Sequence, residues 1–403
     1  MGVVIVGGGH AGSQAVAELR RNGYEGTIDL VCGEASLPYE RPPLSKEFLA
    51  GRLSSERLLL RPASFYDQQS VNLHLGVRIS KALPSRQVVE CANGRRLSYD
   101  SLVLATGSSP IRLSFEGSDL EGVHYLRTID DACAIKSDLG NAKRVLIVGG
   151  GYIGLEVAAS CRSMGLEVTV LELQDRLLSR VATPFMSEFF RELHVNRGIR
   201  VLCGMGLTRL EPAKGTRSVA KAIDTNGGVH LADLVVLGIG VRPQTGLAES
   251  AGLECNNGVL VDRNCRTSAD HIWAIGDCTN FPSDLYGARV RLESVPNAME
   301  QARVLGRNLA GIDASSQATP CFWSDHFEHK LQTVGLSRFG DEEVLRGCPA
   351  RGSFCLFHFS GSTLVAADAV NSRREFLAAR RLVGRQVPKG VLENPSIDLA
   401  SLI

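Results

Sequence analysis

Two glycine-rich turns, Gly7-Gly8-Gly9-His10-Ala11-Gly12 and Gly149-Gly150-Gly151-Tyr152-Ile153-Gly154, have the residue types and spacing to hold a dinucleotide pyrophosphate. Gly7 and Gly149 permit a tight turn, Gly9 and Gly151 let backbone amides approach an anion, and Gly12 and Gly154 let the following helix pack close to its strand. An acid follows each turn where it can meet a ribose: Glu34 after the first and Glu172 after the second. Glu172 would accept from a 2′-hydroxyl and repel a 2′-phosphate, which favours NADH over NADPH, while Arg176 and Arg180 stand near enough in sequence to offset part of that repulsion. One such turn also occurs as a plain glycine loop. Two in one chain, each with its acid, point to two dinucleotides, and FAD beside NADH is the chemically sensible pair: flavin takes a hydride and can release electrons singly, which nicotinamide cannot do.

These turns need a strand before them and a helix behind. Apolar residues 3–6 and 145–148 predict the leading strands, and residues 28–31 and 168–171 predict the strands that return beside them. Ala15, Val16 and Leu19, and later Val157 and Ala158, carry a helical pattern. A further strand over 234–237 runs into Gly238-Ile239-Gly240, whose glycines would let a nicotinamide approach. The fold class is α/β, with two Rossmann-like dinucleotide-binding domains and a C-terminal α+β domain.

Bulk properties bound the alternatives. A chain of 403 residues has room for two or three domains. Its 44 basic and 43 acidic residues give no global attraction to nucleic acid or a membrane surface. No apolar run approaches the roughly 18 residues of a bilayer span, and the sequence enters an apolar strand at once, so a cytoplasmic, unanchored protein is expected. The 11 cysteines are scattered from Cys32 to Cys355 without a C-x-x-C pair, which argues against a zinc ribbon, a Cys-ligated cluster or a disulfide framework. No metal site is expected.

Further along stand Pro38-Tyr39-Glu40-Arg41-Pro42-Pro43-Leu44-Ser45-Lys46, Leu104-Ala105-Thr106-Gly107, Tyr125-Leu126-Arg127-Thr128, Gly276-Asp277-Cys278, Glu293-Ser294-Val295-Pro296-Asn297-Ala298 and Phe322-Trp323-Ser324-Asp325. In this order, over nearly the whole chain, they resemble the FAD-dependent NADH:ferredoxin reductases of oxygenase systems. The resemblance implies Lys46 beside the flavin's reactive edge, Arg127 near the pyrophosphate, Asp277 on the ribityl chain, Val295 at the pyrimidine end and Trp323 near the ring. It also implies Arg41, Ile79, Ala105, Thr106, Gly107, Gly276, Glu293 and Ser294 around FAD, and Arg180 on the NAD side. Glu156, two residues past Gly154, would face the nicotinamide and pair with Lys46. In isolation a lysine is more often a solvated charge and a tryptophan more often core. Counted back from Pro38-Tyr39, the family's ribose acid falls at Gly33, so either the strand end shifts by one residue to use Glu34 or the ribose is held less directly.

The expected arrangement is an FAD domain from residues 1–108 and 241–318, an inserted NAD domain from 109–240, and a C-terminal interface domain from 319–403. In the last, residues 353–359 and 363–370 read as strands and 375–382 as a helix. Arg373, Arg374, Arg380, Arg381, Arg385 and Lys389 face a single acid, Glu375. Residues seven apart share a helical face, so these cations form either a solvated surface or a docking stripe for an acidic [2Fe-2S] ferredoxin feeding a P450 or Rieske-type oxygenase. A disulfide reductase would need cysteine where Ser45-Lys46 stand. The remaining alternatives are a rubredoxin reductase and an NADH-responsive interaction protein resembling apoptosis-inducing factor.

Overall fold

In the computed structural model, which describes residues 2–317 and 319–402, the apolar strand Gly2–Val6 is buried along its whole length. A strand covered on both faces must read this way. It pairs in parallel with Thr27–Cys32 on one side and Ser101–Leu104 on the other. Ile272–Ala274 and Val71–Leu75 complete the five-stranded sheet at its two edges. The helix His10–Arg21 buries Ala15, Val16 and Leu19, and packs on Val295–Leu309, which buries Ala298, Ala302 and Leu305. Gly306 allows that approach, since a Cβ there would lie 2.5 Å from the Cβ of Glu18. Fully buried Val16 and Leu19 each contribute roughly 1.5–3 kcal/mol. Residues up to Glu40, Glu56–Ser109 and Arg242–Phe322 make up this first compact unit.

The second unit comprises Arg41–Ser55, Pro110–Val241 and the chain from Trp323 onward. Its parallel sheet has the order Arg200–Cys203, Glu167–Glu172, Arg144–Val148, Leu234–Leu237, Val123–Tyr125. A second sheet has the order Cys321–His326, His329–Gly335, Thr363–Val370, Ser353–Ser360, Glu342–Cys348. One continuous core links the two sheets through Leu49, Ile147, Leu155, Phe190, Phe354 and Val370.

Arg346, only 7% exposed, ties down the C-terminal segment. Its guanidinium donates to the carbonyls of Leu392, Asn394, Pro395 and Ile397 at 3.3, 2.6, 3.2 and 2.7 Å, and lies 3.5 Å from the Glu375 carboxylate. Five donors in a fixed fork suit this task, which a lysine could not perform. Among the described residues no helix is long and apolar enough to cross a membrane, and no group of histidine, cysteine and acidic side chains is placed to hold a metal ion.

Candidate functional site

Both glycine turns adopt the backbone that glycine alone tolerates. Gly7 has φ +127° and its absent Cβ would lie 2.0 Å from the Ala105 carbonyl oxygen; Gly149 has φ +109° and would meet the Gly238 carbonyl oxygen at 2.4 Å. Gly12 and Gly154 then sit against the carbonyls of Gly7 and Gly149, where a Cβ would come within 1.9 and 2.2 Å. Above Gly9 and Gly151 the space is open. These two residues cap the helices His10–Arg21 and Tyr152–Ser163 with no side-chain acceptor and no acid in the first turn. By contrast, Thr128 caps Ile129–Leu139 with a capping box, and the Ser294 hydroxyl accepts from the Asn297 amide. Two helix N-termini with no capping side chain and no first-turn acid present their positive dipole ends as two pyrophosphates would require.

The two acids that follow the glycine turns are not equivalent. Glu172 ends its strand, and its carboxylate accepts from the Gly150 amide at 2.6 Å and the Gln174 amide at 2.7 Å. Strand register pairs Val148 with Leu171 and Val6 with Val31, so the counterpart of Glu172 in the first unit is Cys32. Glu34 lies two residues beyond that strand and takes the Tyr39 hydroxyl instead. Arg176 is committed elsewhere, to the carbonyls of Ala182 and Ser179 and the Ser187 hydroxyl at 2.9, 3.0 and 2.6 Å. Arg180 lies over Gly240, its guanidinium 3.0 Å from where a Cβ would be. Ile153 is exposed beside the second turn.

In the first unit, the turn Gly276–Cys278 holds Asp277, whose carboxylate accepts from Ser108 at 3.1 Å. The Gly276 amide is pinned by the buried Gln301 side chain at 2.7 Å. Thr106 donates to the Gln244 carbonyl at 2.7 Å, Gly107 takes a positive φ, and Glu293 pairs with Arg291. Val295 opens its helix, and Ile79 opens a separate antiparallel sheet.

Arg41, Lys46, Arg127 and Trp323 fold with the second unit. Arg41 donates to the Arg127 carbonyl at 2.7 Å. Lys46 follows the short helix Pro42–Ser45, and its ammonium lies 2.8 Å from Glu156, with both side chains nearly inaccessible. Two hydroxyls complete the carboxylate's surroundings, each at 2.6 Å: Ser45 on one oxygen and Ser324 on the other. Ser324 also lies 2.9 Å from His326 Nε2. The family resemblance implies Lys46 and Glu156 but none of these three partners. Ser324 and His326 alternate with Trp323 along one strand and so share its buried face, a pattern that could have drawn notice. Burial raises the thiol pKa of Cys161, on the Glu156 helix, to about 12, which suits core packing and not nucleophilic chemistry.

Two dinucleotide cradles in one chain, one of them in the same unit as a buried lysine-glutamate pair, define a two-nucleotide oxidoreductase. The chain belongs to the pyridine nucleotide-disulphide oxidoreductase family, matched over residues 1–302, with residues 321–403 matching the reductase C-terminal family. It is 42% identical over 387 residues to a ferredoxin–NAD(P)+ reductase of a Sphingomonas species, covering 94% of this chain and 92% of that one. Rhodocoxin reductase of Rhodococcus erythropolis is 40% identical, with coverage of 96% and 90%. A chain in the crystal structure of the covalent putidaredoxin reductase–putidaredoxin complex superposes with a TM-score of 0.97 at 38% identity, covering 100% of this chain and 97% of that one. The expected fold class and family are thereby borne out.

Proposed function

We propose that this chain is an FAD-containing reductase that oxidises NADH and passes single electrons to a [2Fe-2S] ferredoxin serving an oxygenase. The observation that carries this reading is the full-length match to a chain of a reductase–putidaredoxin complex. A rubredoxin is the second acceptor to consider, since a rubredoxin–NAD+ reductase of Pseudomonas putida is 36% identical over 92% of the chain. Residues 1–108 and 241–318 are assigned to FAD, 109–240 to NADH and 319–403 to the C-terminal interface domain. The setting is inferred to be cytoplasmic, in keeping with eleven free cysteines.

Bound FAD would supply the chemistry of accepting a hydride and releasing electrons one at a time. The chain's own work is placement. First-turn amides of His10–Arg21 would receive the FAD pyrophosphate, helped by Asp277 on the ribityl chain, and those of Tyr152–Ser163 would receive that of NADH. Glu172, already oriented by two amides, would accept from the adenosine ribose. Lys46, Glu156 and Trp323 are assigned to the reacting end, where they orient rings and exclude water.

Ferredoxin docking is assigned in part to Arg373, Arg374, Arg380 and Arg381, all exposed on Arg373–Leu382. Glu375 is engaged with Arg346 and Ser372, so it does not neutralise that face. Exposed charges act over a Debye length of about 8 Å and steer encounter more than they hold the complex. Reversing Arg374 and Arg381 to glutamate should slow ferredoxin reduction and flatten its salt dependence, while NADH-to-ferricyanide turnover stays near wild type. Unchanged ferredoxin reduction would move docking off this helix.

A further inference from the structure

His326 is fully buried, and burial, with the nearby His194 and Lys46, holds its pKa well below the ordinary histidine range. It packs against His194, ring centroids 5.3 Å apart, and against Phe190 at 4.6 Å. A neutral imidazole has one N–H. Ser324 has one hydroxyl hydrogen, which it donates to Glu156 at 2.6 Å, so at its 2.9 Å contact with His326 the serine oxygen must accept. The donor is then Nε2–H. The resulting chain runs one way, from His326 through Ser324 to the Glu156 oxygen that also receives Lys46. Among the described residues, none gives His326 Nδ1 a hydrogen-bond partner. A proton placed there would be a buried donor without a protein acceptor, which also disfavours the other tautomer.

We propose that His326 is a positioning residue for hydride transfer, acting as the neutral Nε2–H tautomer that fixes the Ser324 hydroxyl on Glu156 and so sets the Lys46–Glu156 pair. This rests on the reading of Lys46 and Glu156 given above. Successive hydrogen bonds polarise one another, so the histidine N–H strengthens the bond that Ser324 makes to the carboxylate. The same N–H keeps the serine oxygen from competing with the carboxylate for the lysine. An acceptor at position 326 would do the reverse: it would draw the serine hydrogen away and turn the oxygen's lone pairs on Glu156. Neither Ser324 nor His326 need touch a cofactor to matter; their effect reaches the site through one carboxylate.

Two measurements test this independently. Nitrogen-15 NMR of the histidine-labelled holoenzyme reads the tautomer without reference to turnover: His326 should show a protonated Nε2 and a bare Nδ1 at neutral pH. A protonated Nδ1 would overturn the proposal even if the Lys46–Glu156 assignment stands. Stopped-flow flavin reduction over a range of NADH concentrations then separates rate from binding. His326→Leu should lower the limiting reduction rate by about tenfold, the scale of weakening one hydrogen bond to a charged group, with little change in NADH affinity. His326→Gln, which retains an N–H donor, should recover most of that rate. Equal losses in both variants would mean that the histidine only fills space, and an unchanged rate in His326→Leu would likewise overturn the proposal.

Discussion

Glu156→Leu should cut the limiting rate of flavin reduction by NADH by about 100-fold and destabilise the protein by about 3–5 kcal/mol. The two effects have different origins. Leucine leaves the Lys46 ammonium, 11% exposed, without its carboxylate partner, and strands the Ser45 and Ser324 hydroxyls. An unpaired buried charge is costly, whereas replacing both members of a buried pair with apolar groups is often neutral. The double variant Lys46→Met/Glu156→Leu should therefore regain most of the stability in denaturant melts while flavin reduction stays slow. Rate recovery in parallel with stability would make the pair structural only.

Glu172→Ala should lower kcat/KM for NADH by roughly 5- to 150-fold, equivalent to about 1–3 kcal/mol, and raise it for NADPH. The carboxylate is held by the Gly150 and Gln174 amides, and in the proposed ribose-binding role its charge would oppose a 2′-phosphate. Arg176 cannot relieve that repulsion, being spent on Ala182, Ser179 and Ser187. Steady-state kinetics with both nucleotides decide the matter. A wild-type preference for NADPH, or a ratio unmoved by the substitution, would show that Glu172 does not set specificity.

What could be read from the sequence was what the backbone decides locally. Gly7 and Gly149 announce their positive φ, and the apolar runs around them announce strands buried on both faces. Strand ends moved by a residue because partners decide them: Glu172 joins its strand through pairing with Cys203, and Gly2 through Thr27. The helix expected at 375–382 begins at Arg373, where Ser372 donates to Glu375. Glu34 looked like the match of Glu172, but register gives that place to Cys32. The tie between Ser324 and Glu156 was harder to find, because a contact spanning 168 positions between a strand and a helix leaves no periodic trace. Arg346 was similarly silent, since its acceptors are backbone carbonyls that any sequence supplies.

The most direct test of the account is NADH-driven cytochrome c reduction by the purified holoenzyme, measured with and without an added [2Fe-2S] ferredoxin. The account predicts slow reduction without ferredoxin and a rate that rises and saturates as ferredoxin is added, at a cost of one NADH for two cytochromes reduced. A rate indifferent to ferredoxin at every concentration, with NADH still oxidised, would contradict single-electron delivery to an iron-sulfur partner.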